Sequence, residues 1–436
     1  MLYGIKHCSA VFKMSSRIKN VYAEEIISMR GHPGIETTVE LEDGSRGSAI
    51  VTAGVSVGEH EVQFIHDGGS RYGGLGVKKA VEIVNTIIGP KIKGLDATEQ
   101  HVVDEVMLKL DGTPNKSRLG GNSIASVSAA VLKAAAKSLR LPLYRYIGGI
   151  RAKVLPVPGV GAVAGGDRYG GGQRSGEKPS YSFMAYGFKS FSEASYACWE
   201  ISREFFRITN ERLGRRAPVG SFMLLTRADK LSHDREIWEM MTEAIENLGY
   251  RNRIGIQVDV AATTYYNREK QVYEGLFSRD PKTREDLIEI YKAAVKDFPF
   301  VIIEDPLEEE DVEGHAILTR ELGIEIVGDD FFTTNIERLK RGIEAKACNA
   351  VLLKVNQIGT ITEAFEMVEF AYRHGYGVMP CSSRGEGAEI ADYAVGLNTG
   401  HIRESGLGDT ANRLMKIEME LGRKATFLGK EGLKLK

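Results

Sequence analysis

The chain has 436 residues, too many for one ordinary core but enough for a barrel of roughly 250 residues plus a second domain. Its hydrophobic and charged fractions, 42% and 27%, lie near globular averages and argue against disorder. A formal charge of −2 gives no electrostatic reason to bind nucleic acid or an anionic membrane, and no apolar run of about 18 residues predicts a membrane span.

Residues 1–14 lack the extended apolar core of a signal peptide and read as a disordered tail or an early start ahead of Met14. The scattered Cys8, Cys198, Cys348 and Cys381 lack C-x-x-C spacing, as expected for reduced thiols of a cytoplasmic protein. Residues 15–148 predict an α+β domain. KNVYAEEII and IETTVELEDGSRGSAIV read as strands, the latter turning at Asp43-Gly44. GVKKAVEIVNTIIGPKI and GNSIASVSAAVLKAAAKSL repeat apolar residues at helical spacing. LPVPGVG, near 155, opens a second domain covering 149–436, and a Gly-rich polar stretch follows at 165–180.

From about 254, short apolar runs (IGIQVDVAA, FVIIEDP, IEIVGDD, AVLLKVN) alternate with amphipathic helical segments, predicting a parallel sheet buried on both faces. Each run ends in a charged residue: Asp259, Glu304, Asp329 and Lys354, at intervals of 45, 25 and 25. Twenty-five residues is about one βα unit, and charged groups at the carboxyl ends of barrel strands converge on the mouth. A single acidic residue there is ordinarily a helix cap or loop carboxylate. Three in succession suit a hard divalent ion such as Mg2+, completed by water and substrate oxygens. Lys354 beside such a cation is expected to have a lowered pKa and to serve as a base toward a proton α to a carboxylate.

Several strings carry a resemblance: RGHPGIETTVELEDG, LDGTPNKSRLGGNSIASVSAA, LPLYRYIGG, DVAATTYY, IIEDPLEEED, EIVGDDFFTTN, LLKVNQIGT and ADYAVGLNTG. Over residues 17–430 the sequence resembles the enolase family. That resemblance implies an α/β fold: an enolase-type (β/α)8 barrel with an N-terminal α+β capping domain. It implies Asp259, Glu304 and Asp329 as magnesium ligands, Lys354 as the catalytic base and Asp330 as the family's paired aspartate. It also implies Ser56, Glu61, Arg168, Ser382, Ser383, Arg384 and Arg403 as substrate-side residues, with Ser56 on a second magnesium. Homodimers or larger assemblies are expected on the same basis.

The family pattern breaks at several points. Its Gly-Gly-Ser-His-Ala and Gln-Glu-Phe strings read GGDRYGG and SYSFMAYG, placing Arg168 at the His and Ser182 at the Glu. Its Gly-Asp-Glu-Gly-Gly reads VGSFMLL, with Phe222 or a neighbour at the glutamate held to assist departure of the hydroxyl. The mobile loop reads TAGVSVGEHE, keeping Ser56 and Glu61. The phosphate string reads PCSSRGEG, keeping Ser382, Ser383 and Arg384 without the His, and Arg403 replaces the substrate lysine.

Phenylalanine supplies no proton, and a general acid is worth roughly 10² to 10⁴ in rate. The leading expectation is therefore a diverted enzyme. It would abstract a proton α to a carboxylate on a small phosphorylated or phosphonylated carboxylic acid, as the enolase-like carboxyphosphonoenolpyruvate synthases do. The alternatives are a true phosphopyruvate hydratase with a substitute acid (His60, Glu59 or Glu386), or a catalytically dead binding protein.

Overall fold

The computed structural model describes residues 15–28, 31–54, 57–164, 168–170, 178–214, 224–225, 231–382 and 384–436. Strands β1 (Ile18–Ile27), β2 (Pro33–Leu41) and β3 (Arg46–Thr52) form an antiparallel sheet in the order β1-β2-β3. Helix α1 (Gln100–Asp111) and helix α2 (Gly121–Ser138) follow. The Ala-rich sequence of α2 suits a helix, and its side chains are buried almost throughout. It lies so close to the sheet that a Cβ on Gly47 would stand 2.3 Å from the Ala130 carbonyl oxygen, and Thr37 bonds Ser126 across the contact at 2.7 Å.

The remainder is a ring of eight strands: β4 (Val157–Ala164), β5 (Ser180–Ala185), β6 (Ile254–Asp259), β7 (Phe300–Glu304), β8 (Glu325–Gly328), β9 (Ala350–Leu353), β10 (Gly377–Pro380) and β11 (His401–Ile402). The sheet runs β10-β9-β8-β7-β6-β5-β4-β11, and a bridge between Val378 and Gly400 closes it. Met184, Ile302, Val327, Leu352 and Met379 pack together as one of two buried clusters. The larger cluster joins the strands to the surrounding helices.

The parallel sheet predicted from 254 onward is what β6 to β10 form. The whole ring is not parallel, because β5 pairs antiparallel with both β4 and β6. The antiparallel pairing makes β4 and β5 a hairpin, with no crossover helix among the described residues between them. The beginning of β5, not its end, therefore lies at the mouth, with Ser180 opposite Asp259.

Polar side chains fix several of the loops that lead out of the mouth. Thr283, Asp311, Asn335 and Thr360 each cap the next helix by accepting from a first-turn amide. The last of these helices, α3 (Ile361–Arg373), is where the two domains lock together. Asp104 of α1 accepts from the Thr362 amide and hydroxyl, while the Ser128 hydroxyl of α2 donates to Asp104 and accepts from the Ile361 amide. Lys116 pairs with Glu363 at 2.9 Å. Closer to the mouth, the Val62 amide donates to Gln357 and the Thr52 amide to Arg384.

Asp104 is fully buried, so Asp104→Ala leaves several buried donors without their acceptor, a cost of about 3 kcal/mol. The expected outcome is an unfolding free energy lowered by that amount, read as a lower denaturant midpoint at unchanged slope, with loss of protection in amide exchange first at Ile361–Glu363. An unchanged midpoint would remove Asp104 from this role.

Candidate active site at the barrel mouth

Three adjacent parallel strands deliver the predicted carboxylates side by side. Glu304 closes β7 in register with Asp259 at the end of β6, and Asp329 directly follows β8. Lys354 directly follows β9, and all four side chains are buried. The turns after the strands are strained: Ala261 and Asp305 both hold φ of 43°, a left-handed conformation that non-glycine residues adopt at a cost.

Each carboxylate meets a cation from the chain. Lys354 Nζ lies on Asp329 Oδ2, while Gln357 Nε2 donates to Asp329 Oδ1 at 2.7 Å. Arg403 Nη1 reaches Glu304 at 2.9 Å and Asp259 at 2.7 Å, and its Nη2 donates to the Ser180 hydroxyl at 2.9 Å. Lys178, which the sequence reading did not single out, pairs with Asp259 Oδ2. Its signal was present but weak: a lysine two residues before β5, visible only once β5 is seen to run backward.

Electrostatics follow from this packing. Burial pushes Asp329 up, but Lys354 and Arg384 outweigh it and hold the carboxyl below its usual value. Burial pushes Lys354 down, and Asp329 outweighs that in turn, so Lys354 is raised where a lowering was expected. Lys178 is lowered to about 8 by burial and by the neighbouring Arg403. Burial and then Asp329 push Asp305 to about 8 and Asp330 well above the carboxylate range.

Oxygen atoms of Asp305, Asp329 and Asp330 lie within 4.8 Å of one another, a carboxylate cluster that shares only Asp329 with the predicted ligand set. Asp305 accepts from the Asp329 and Asp330 amides at 2.9 and 2.8 Å, which commits it to the turn. Asp330 Oδ1 is buried without a hydrogen-bond partner. An orphaned carboxylate oxygen beside further buried carboxylates is a donor set that suits a hard divalent cation.

The other predicted residues are distributed as follows. Arg384 makes a buried ion pair with Glu61, which also accepts from the Gly58 amide at 3.2 Å and from Gln357 at 3.4 Å. Glu61 thus acts on the arginine and the capping loop, not directly on the carboxylate row. A cleft of about 320 Å³ lies beside this pair, lined by Gly58, Phe64, His66 and others. Ser382 is half-buried nearby; Ser56, Ser383 and Phe222 lie outside the described residues.

Arg168 is not brought to the row. Its guanidinium grips Asp234 through Nε at 3.0 Å and Nη2 at 2.7 Å, and the Tyr169 and Tyr181 hydroxyls donate to the same carboxylate. Ser182 is buried on β5 opposite Gln257. Among the candidate substitute acids, His60 pairs with Glu310 and Glu59 with Arg268 at exposed positions. Glu386 accepts from the Arg384 amide at 3.2 Å, and burial pushes its carboxyl up.

Comparison with known proteins agrees with this architecture. Residues 18–147 match the family model described as the enolase N-terminal domain, and residues 152–436 match the enolase C-terminal TIM barrel domain. The chain is 43% identical to the enolase of Methanocaldococcus jannaschii, covering 93% of this chain and 96% of that protein. It is 44% identical to the enolase of Methanopyrus kandleri (94% and 97% covered) and 41% identical to that of Methanococcus aeolicus (93% and 96%).

Gln357 holds one oxygen of Asp329 while Lys354 holds the other, so it fixes the carboxylate's orientation. Outer-shell partners of this kind are worth roughly 10- to 100-fold in metal affinity. Gln357→Leu is expected to weaken magnesium binding by that factor in titration calorimetry; an unchanged dissociation constant would remove Gln357 from the role.

Proposed function

Because the chain belongs to the enolase family of magnesium-dependent carbon–oxygen lyases, we propose that it is a phosphopyruvate hydratase interconverting 2-phosphoglycerate and phosphoenolpyruvate. The observation that carries this reading is the buried Lys354–Asp329 pair at one end of a row of carboxylates, with arginines set around it. An identity of 41–44% to enolases over nearly the whole chain supports the hydratase over the diverted reading that the missing acid suggested.

Asp259, Glu304 and Asp329, with Asp330 adjoining, would hold the magnesium. When bound, the ion neutralises the negative charge that develops on the substrate carboxylate as the α-proton leaves. Lys354 accepts that proton as the neutral amine, which requires it to give up its ion pair with Asp329 first. Its amide, donating to Thr334 at 3.0 Å, fixes the backbone at the end of the strand. Arg384 and Arg403 hold substrate anions, which requires each to exchange a carboxylate partner for the substrate. The capping loop around Gly58–Glu61 joins the Arg384 side of the mouth through the Glu61–Arg384 pair.

The β-hydroxyl leaves with a proton from Glu386. Of the three candidate acids it is the one not committed to an exposed ion pair; it accepts from the Arg384 amide, and its burial favours the protonated form.

The test is the magnesium-dependent appearance of phosphoenolpyruvate absorbance from 2-phosphoglycerate. Turnover within about tenfold of an ordinary enolase supports the proposal, and a negligible rate returns the chain to the diverted reading. Lys354→Ala is expected to abolish exchange of the substrate α-proton with solvent deuterium while magnesium still binds. Glu386→Gln is expected to lower dehydration by roughly 10² to 10⁴, with exchange retained. His60→Ala and Glu59→Gln should leave both within about twofold, since their exposed pairs contribute little; equal losses in all three would displace Glu386 from the acid role.

A further inference from the structure

The carboxylates of the mouth are matched by cations of the chain. Asp259, Glu304, Asp329 and Glu61 face Lys178, Arg403, Lys354 and Arg384. These cations sit on opposite flanks of the row. Lys354 serves Asp329 on the β8 side, whereas Lys178 and Arg403 both converge on Asp259 on the β6 side. Arg403 alone already reaches both Asp259 and Glu304, so Lys178 adds a second positive charge to a carboxylate that has one. A divalent cation accepted by Asp259 adds still more positive charge on this flank, and an anion is then needed to balance it.

The backbone that carries Lys178 is held for that task. Tyr265 donates its hydroxyl to the Lys178 carbonyl at 2.6 Å. Arg168 donates to the next carbonyl, that of Pro179, at 3.0 Å, and is itself anchored on the fully buried Asp234. Ser180 then hydrogen-bonds Arg403. These bonds fix the backbone on both sides of the Lys178 side chain at the edge of the buried row.

We propose that Lys178 is a substrate-binding residue, its ammonium holding an anionic oxygen of the substrate on the β5–β6 flank while Lys354 faces the substrate from the β8–β9 flank. This rests on the hydratase reading and deepens it by adding a contact from the β4–β5 hairpin. It also accounts for Arg168, which serves the substrate through the loop it braces.

The experiment uses the full chain at saturating magnesium and titrates phosphoenolpyruvate by calorimetry, with magnesium affinity measured separately. Lys178→Met is expected to weaken phosphoenolpyruvate binding about tenfold or more, the usual loss for a charge-assisted hydrogen bond. Magnesium affinity should be undiminished, and Lys178→Arg should recover most of the loss. Should Lys178→Met fail to fold, Lys178→Gln carries the same test without the charge. Unchanged phosphoenolpyruvate affinity in an uncharged variant overturns the inference, as does a loss that merely follows weakened magnesium binding. If the unmodified chain binds magnesium but not phosphoenolpyruvate, the hydratase reading falls and this inference with it.

Discussion

Negative charges brought together at the ends of neighbouring strands are the constraint around which this molecule is built. Carboxylates on β6, β7 and β8 stand side by side in a buried mouth, where like charges repel strongly and water screens little. The chain answers with four cations drawn from distant parts of the sequence: Lys178, Lys354, Arg384 and Arg403. Their convergence on one small region is what the barrel's geometry provides. Strands that run parallel with short returns place the end of each at the same face.

The capping domain takes part in this balance. Glu61 reaches across from it to neutralise Arg384, and Gln357 touches both Glu61 and Asp329, so the position of the capping loop and the orientation of a carboxylate in the row are set by one amide group. Farther out, Asp104 and Ser128 cap a barrel helix from the other domain. These contacts are polar and directional, and they add geometric specificity to the apolar packing that the two domains share.

Much of this was legible in the sequence because the relevant signals were local. Apolar runs ending in Asp259, Glu304, Asp329 and Lys354 gave both the strands and their shared face. What escaped notice depended on direction or on partners remote in sequence. The reversal of β5 leaves no mark in an apolar run, so nothing set Lys178 apart within the Gly-rich polar stretch. Arg168 looked like a substrate ligand because its partner, Asp234, lies 66 residues away. The raised Lys354 needed the distance to Asp329, which no spacing supplies. The departures from the family at Arg168, Ser182 and Phe222 point toward a changed chemistry; 41–44% identity to enolases over nearly the whole chain weighs the other way.

The β4–β5 hairpin has a consequence for how such an enzyme can change over evolutionary time. The start of its second strand, at Ser180, lies at the mouth, while its two strands are locked into the wall of the ring. Insertions and substitutions between Gly170 and Lys178 leave the strand pairings and the Arg168–Asp234 anchor outside the altered segment. The lineage can retune which ligand is read at the rim while the base, the carboxylate row and the folding of the barrel are inherited intact.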